Sequence, residues 1–382
     1  MTKGIEISIP MPLLVSIEDV GWWSGTDGSG RNQPFRTGMP RDHVPEDYTA
    51  LAALGKGLDT KVLAGFVLCE WDRENILRQL PSATWMGTKW SNPGLDPVQR
   101  EKAASIIKKK RHYIEFGVHG VGHEFWTKGC MERTEFHNDV GRMRESAIVT
   151  KHLTYFFKLM DQYGFNFRPK VFIPPALRHS FGNKEAGFQR ILNQFGIQYV
   201  TLVFDRARWY QKPQTCTIAW ENDVLLVERG EADIKWHTVA AEPVFRFDRP
   251  VMALHWANIL HPDPFKNCTV VEKWIRYINE GIQQTGMMMA EDSVSCFTQY
   301  IHKTLSKVER VQEAFKINMC WLDRIPEKLV GESIYLKVDA PKGTKFRIFG
   351  TKSLPAVRPA EQNYLKLAVP KKERKILLRP YR

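Results

Sequence analysis

A chain of 382 residues is too long for one small domain and points to roughly two domains, or to a barrel with an appendage. With 43% hydrophobic, 25% charged and 12% aromatic residues it can bury a large core, which excludes a disordered or fibrous chain. The net charge of +13 is concentrated at one end: residues 331–382 hold thirteen Lys and Arg against four Asp and Glu, which suits either an anionic partner or a plain solvated basic face.

Taken in chain order, short apolar runs alternate with longer amphipathic stretches. Pro12–Asp19 reads as a buried strand that ends in two acids. Lys61–Glu70, His112–His119, Lys170–Pro174, Gln198–Phe204, Val224–Val227 and Pro250–Trp256 read as further strands, each bounded by Gly, Pro or Asp. Helical patterns fall between them: Glu135–Tyr163, the longest, then Lys184–Phe195 and Val270–Gly281. Such alternation predicts parallel strands in a barrel or wound sheet, with functional residues where strands end and loops begin. Near Leu329 the character changes. Ile334–Val338, Phe346–Ile348, Tyr364–Val369 and Ile376–Leu378 predict a basic antiparallel β appendage of about four strands. The expected division is a barrel over residues 1–328 and a C-terminal module over 329–382.

Six scattered cysteines with no CxxC argue against a disulfide framework or a thiolate zinc site, and fit reduced thiols in a cytoplasmic protein. The first apolar run, Ile9–Ile17, holds two prolines and leads into Glu18-Asp19, so no secretory leader is expected there. No stretch of about 18 uninterrupted apolar residues is present, so no transmembrane segment is expected either.

The sharpest motif is His119-Gly-Val-Gly-His123. Its two glycines favour a loop over a helix, and such a loop lets both imidazoles reach one metal; core or surface histidines are the competing reading. Glu18 and Asp19 close a strongly apolar strand, where a charge must be paired or bind a metal. Asp19 can supply an oxygen ligand and Glu18 a base, or the pair can cap the following loop. His255, at the end of Pro250–Trp256, is a candidate general acid or a core histidine.

Together these pieces resemble the polysaccharide-deacetylase superfamily, whose shared unit is the NodB homology domain (carbohydrate esterase family 4 and relatives). The resemblance covers roughly residues 8–300 and implies a distorted (β/α) barrel of about seven strands. It implies Glu18 as catalytic base, Asp19, His119 and His123 as ligands of one divalent transition metal, and His255 as catalytic acid. Zinc is the expected ion, with cobalt, nickel or iron as alternatives. Two positions depart from the family pattern. The base there is commonly Asp rather than Glu, and Ile173 in Phe172-Ile-Pro-Pro-Ala-Leu-Arg178 stands where the family carries an Arg, which leaves Arg178 as the candidate to orient Glu18.

The resemblance implies hydrolysis of an N-acyl group, most often N-acetyl, on a sugar or glycan precursor that can be anionic. Trp22 and Trp23, beside Asp19, and Trp256 are the candidate substrate contacts, together with Arg178, although core packing is the commoner use of tryptophan. The glycine-rich stretch Gly25–Pro40 is expected to cover the site, with Arg31 or Arg36 facing an anionic group and Asp233, Trp236 and His237 on the same rim. The competing readings are hydrolysis of a non-sugar amide or cyclic ureide, a carbohydrate-binding protein without catalysis, and, last, binding of polyanions through the basic end. No nucleic-acid partner is expected, and the oligomeric state is left open.

Overall fold

In a computed structural model, residues 4–29, 32–92, 96–127, 130–183, 186–231, 233–354, 363–369 and 374–381 are described. The nine strands of its largest sheet path are β1 (Pro12–Val20), β2 (Val62–Val67), β3 (Ile114–Gly120), β4 (Val171–Phe172), β5 (Tyr199–Leu202), β6 (Ile218–Glu221), β7 (Val224–Glu228), β8 (Gly230–Glu231) and β9 (Val251–His255). They are ordered β6-β7-β5-β4-β3-β2-β1-β9-β8. All neighbours are parallel except the β6–β7 hairpin. All nine residues of β1 and all six of β2 are buried, which is why both read as unbroken apolar runs rather than alternating ones. The chain crosses from one side of this curled sheet to the other at Arg229: β7, just inside the β6 edge, pairs with β5, β8 at the opposite edge pairs with β9, and only Arg229 separates β7 from β8.

Helices cover the sheet. These are α1 (Pro45–Gly57), α2 (Pro97–Lys109), α3 (Ser146–Gln162), α4 (Phe188–Gln194) and α5 (Asn267–Thr285). The sequence pattern misses α1 and α2. Helix α1 buries Tyr48, Leu51, Ala52, Leu54 and Gly55 around much of its circumference, so it shows no clean polar face. The expected helix from Glu135 begins only at Ser146. Before it, the Asn138 side chain accepts from the N–H groups of Val140 and Arg142, and Gly141 takes φ +74°, a turn that competes with helix. The expected helix from Lys184 begins at Phe188, and Lys184 and Glu185 lie outside the described residues.

The chain divides into two compact units, Leu14–Gln284 and a second made of Met1–Leu13 with Thr285–Arg382. The second therefore starts some forty residues before the expected boundary at 328/329. It holds α6 (Ser293–Leu305) and two antiparallel sheets. Glu6–Ser8, Ser333–Asp339 and Tyr364–Ala368 form one; Lys307–Val311, Ala314–Asn318, Lys375–Tyr381 and Lys345–Phe349 form the other. The four expected strands are present, but split between sheets that each need a partner from outside residues 329–382. Ile7, Ile317, Ile334, Leu336, Leu367 and Leu378 belong to one apolar cluster, and burying that cluster is what recruits the N-terminal strand and the 307–318 hairpin. Gln299 of α6 is buried yet satisfied, bonding both backbone groups of Tyr335 at 2.9 Å. Among the described residues no helix is long and apolar enough to cross a membrane.

Candidate metal and catalytic site

Two bulges set the geometry. The β1–β2 ladder is irregular between Ile17 and Val20, and the β2–β3 ladder between Phe66 and Val67, opposite Val118 and Gly120. A bulge re-aims side chains that a regular strand would send alternately to its two faces. Glu18 and Asp19 sit in the first, and His119 in the second. Asp19 and His123 both adopt left-handed backbone, with φ 61° and 62°. Such conformations cost a non-glycine residue about 1–3 kcal/mol and persist where the surroundings over-determine them. The result is that one oxygen of Asp19 and one nitrogen each of His119 and His123 lie within 4.8 Å of one another, all three residues buried.

Each imidazole turns its Nε2 toward Asp19. His119 donates Nδ1–H to the carbonyl of Ile173 at 2.8 Å, and His123 Nδ1 lies 2.7 Å from Glu124 Oε1 and 3.0 Å from Arg133 Nη1. The His119 and His123 Nε2 atoms lie 3.4 Å and 4.0 Å from Asp19 Oδ1. Ligands about 2.0–2.1 Å from a tetrahedral ion stand roughly 3.3–3.5 Å apart, so this donor set fits a divalent transition metal with little adjustment. Carboxylate or carbonyl partners on the far nitrogen are how ligating histidines are oriented. Ile173, placed where an Arg was expected, thus serves through its backbone oxygen.

The loop after β3 is held by Glu135. Its carboxylate accepts from the N–H groups of Val121 (3.0 Å), Gly122 (3.1 Å) and His123 (3.0 Å), and faces His152 Nδ1 at 2.7 Å. The glycines of the motif are steric requirements: a Cβ on Gly120 would lie 2.2 Å from Glu135 Oε2, and one on Gly122 would lie 2.0 Å from the Ala83 carbonyl. Arg133 pairs with Glu124 and stacks 3.8 Å from the centre of Phe35. Burial nevertheless raises the Glu124 carboxyl well above its ordinary value.

Glu18 and His255 are register neighbours on the paired strands β1 and β9, and His255 Nε2 lies 3.9 Å from Glu18 Oε2. Arg229, at the seam between β7 and β8, bonds Glu18 directly, and both side chains are buried. Arg178 is exposed instead, so it is Arg229 that orients Glu18. Burial alone would raise Glu18, but Arg229, His255 and His119 outweigh it and hold the carboxylate below its ordinary range. Asp19 is lowered in the same way, with the hydrogen bond from His119 and the charge of His123 overcoming burial. Burial pulls His255 below its usual value against the pull of Glu18 and Asp19. At 27% exposure the His255 side chain is the open edge of the cluster.

The tryptophans expected to touch substrate are core residues. Trp22, Trp23 and Trp256 are at most 3% exposed. Trp23 packs on Tyr48 and Trp71, and Trp256 stacks on His43 with ring centres 4.0 Å apart. They form the floor that carries Asp19 and His255 rather than an open platform. Arg36 is likewise committed: it pairs with Glu70 at 3.1 Å, and Glu70 also accepts from the Trp23 and Ser24 N–H groups, pinning the glycine-rich stretch. Arg31 lies outside the described residues. Of the expected rim, half-buried Trp236 meets Phe35 with centroids 6.0 Å apart, while Asp233 is exposed and faces Arg246.

Sequence reasoning missed Arg229, Glu124 and Glu135. Arg229 had a usable signal: it ends the apolar run Val224–Val227 and precedes Gly230, the strand-end position where chemistry collects. Glu124 follows His123 directly. Glu135 had none, because its role depends on a turn of the chain that periodicity does not reveal.

No family model and no curated protein matches this sequence. Among solved structures, the chain is similar to the T48 deacetylase with substrate at 10% identity, over 75% of this chain and 91% of that one, with TM-score 0.33. It is similar to a family 4 acetyl xylan esterase from Clostridium thermocellum, in complex with a cobalt ion, at 14% identity over 74% and 98%, TM-score 0.31. A protein assigned as a glycoside hydrolase/deacetylase from Parabacteroides distasonis is similar at 8% identity over 87% and 82%, TM-score 0.43. These likenesses concern backbone shape at low identity; the roles of individual residues rest on the geometry above.

Proposed function

We propose that this chain is a metal-dependent hydrolase that removes an N-acyl group, most often N-acetyl, from an amino sugar or glycan precursor. One observation carries the reading: three buried metal-type donors, Asp19, His119 and His123, converge beside a carboxylate and an imidazole, Glu18 and His255, on adjacent strand ends. Asp19 Oδ1 and the two Nε2 atoms would hold the ion, zinc by preference for this donor set. When bound, a divalent ion there supplies Lewis acidity to the acyl carbonyl and acidity to a nearby water. Glu18 takes the proton of the attacking water, and Arg229 keeps its carboxylate anionic and fixed in direction. His255 Nε2, on the open edge, delivers a proton to the departing nitrogen, which leaves as an amine only once protonated.

The reading includes a fold statement: the sheet works as a distorted barrel of about seven strands, with β7 and β8 acting as one shared strand that turns at Arg229. It also includes a setting. Six free cysteines suit a reducing, cytoplasmic compartment, and so a precursor rather than an assembled wall polymer.

A second reading is favoured by the burial of Trp22, Trp23 and Trp256, which removes the expected sugar platform. It is hydrolysis of a non-sugar amide or cyclic ureide at the same centre. Assays of zinc- or cobalt-loaded protein separate the two. Acetate release from N-acetyl amino sugars, absent in Asp19→Ala and His255→Gln, supports the first. Ammonia or amine release from cyclic ureides and simple amides, with the sugars inert, selects the second. No turnover on either panel by metal-loaded protein contradicts both.

A further inference from the structure

Behind the metal loop a second chain of polar groups ends at a serine. His152 faces Glu135 Oε1 with Nδ1 at 2.7 Å and Ser82 Oγ with Nε2 at 2.8 Å. With Nδ1–H donated to the carboxylate, Nε2 is the acceptor and the Ser82 hydroxyl donates to it. That order, hydroxyl to imidazole to orienting carboxylate, is the arrangement that activates a serine as a nucleophile.

The same three types of group recur at Thr37, His43 and Asp47, with contacts of 2.7 Å and 3.0 Å. All three are buried there, and Trp256 covers the imidazole, so that set only fastens a loop. Ser82 differs because it is half-buried and lines a cavity of about 730 Å3. The wall of this cavity includes Trp85, Met86, Phe125, Trp126 and Ile148. Two residues of that wall, Thr84 and Trp126, are 0% and 5% exposed, and their Oγ1 and Nε1 atoms are buried beneath it without a hydrogen-bond partner among the described residues.

We propose that Ser82, His152 and Glu135 form a second, metal-independent hydrolytic centre for carboxylic esters with an apolar acyl group. Ser82 Oγ bonds to the ester carbonyl carbon as His152 Nε2 takes the hydroxyl proton. The carbon–oxygen bond to the alcohol then breaks, and His152 passes its proton to the departing oxygen. Water attacks the acyl-serine, its proton returns through His152 to Ser82, and the carboxylic acid leaves. No oxidant, reductant or further reactant is needed.

The test uses the intact chain, stripped with a chelator and treated with a fluorophosphonate probe, followed by peptide mass mapping. The expected result is an adduct on Ser82. Hydrolysis of p-nitrophenyl butyrate should survive both chelation and Asp19→Ala, be blocked by the probe, and fall roughly 10²-fold or more in Ser82→Ala. Serine is the residue to change because His152 also braces Glu135, so its loss would mix two effects. An unlabelled Ser82, or ester hydrolysis that disappears with the metal, overturns the proposal and leaves Ser82 as a brace for His152. Should Ser82→Ala misfold by near-ultraviolet circular dichroism, the adduct map of the wild type decides alone.

Discussion

Two pairs of buried histidines lie in the larger unit. His119 and His123 have ring centres 4.9 Å apart, and His137 and His179 have centres 5.3 Å apart. All four are at most 3% exposed. What differs is what faces them. The first pair meets Asp19, Glu124 and Glu135 or their loop, whereas the second meets neutral partners: Ser180 Oγ at 3.1 Å and the Gln189 amide at 2.7 Å. Burial therefore drives His137 well below its ordinary value and pushes His179 down to about 3; in the first pair burial and Arg133 likewise drive His123 well below, while Asp19 and Glu18 hold His119 above its ordinary value despite burial. What marks the first pair as the candidate cation site is a third donor, an oxygen of Asp19, within 4.8 Å of a nitrogen of each.

The comparison breaks most decisively at the ligands. Asp19→Ala or His123→Ala should remove the bound metal and lower turnover by about 10³-fold or more, whereas His179→Asn should leave metal content unchanged; elemental analysis beside an activity assay reads both. Next come the flanking groups. Glu18→Gln and His255→Gln should each lower kcat by roughly 10²–10⁴-fold with the metal retained. Loss of metal in either variant would move that residue from proton transfer to ligation. A smaller effect is expected at the seam. Arg229→Gln should lower kcat by about tenfold to a hundredfold and raise the Glu18 titration seen in the pH–rate profile, with partial recovery in Arg229→Lys.

The smallest effect belongs to the second pair and appears in stability rather than turnover. Folded His179 stays neutral down to about pH 3, while in the unfolded chain it takes up a proton near its ordinary value of 6.5. Its contribution is thus fully present above about 6.5 and is lost as pH falls towards 3. The difference in urea midpoint between pH 7.5 and pH 4.5 should shrink in His179→Asn. An unchanged difference would mean that His179 is protonated in the folded protein.

Much of this was legible from residues alone. Pro12–Val20, Ile114–Gly120 and Val251–His255 announce themselves because parallel strands buried on both faces read as apolar runs, and each stops at a group that can do chemistry. The candidate set Asp19, His119 and His123 was read from two of those stops together with the His119-Gly-Val-Gly-His123 motif. What stayed hidden depends on long-range pairing. Glu6–Ser8 lies beside Ser333–Asp339, so the unit boundary could not be placed from local composition. Arg229 reaches Glu18 across 211 residues, so its strand-end position could mark it as a candidate but not name its partner. The misplaced tryptophans have a different cause: sequence adjacency to Asp19 says nothing of which way a ring turns. Trp22 and Trp23 flank a loop whose next residues fold back on Glu70, and this sends both rings inward.

The central claim is that Asp19, His119 and His123 hold one metal. Elemental analysis of purified wild type beside Asp19→Ala and His123→Ala tests it directly. The expected result is about one transition metal per chain in the wild type and none in either variant. A wild type that stays metal-free after incubation with zinc, cobalt or nickel would contradict it.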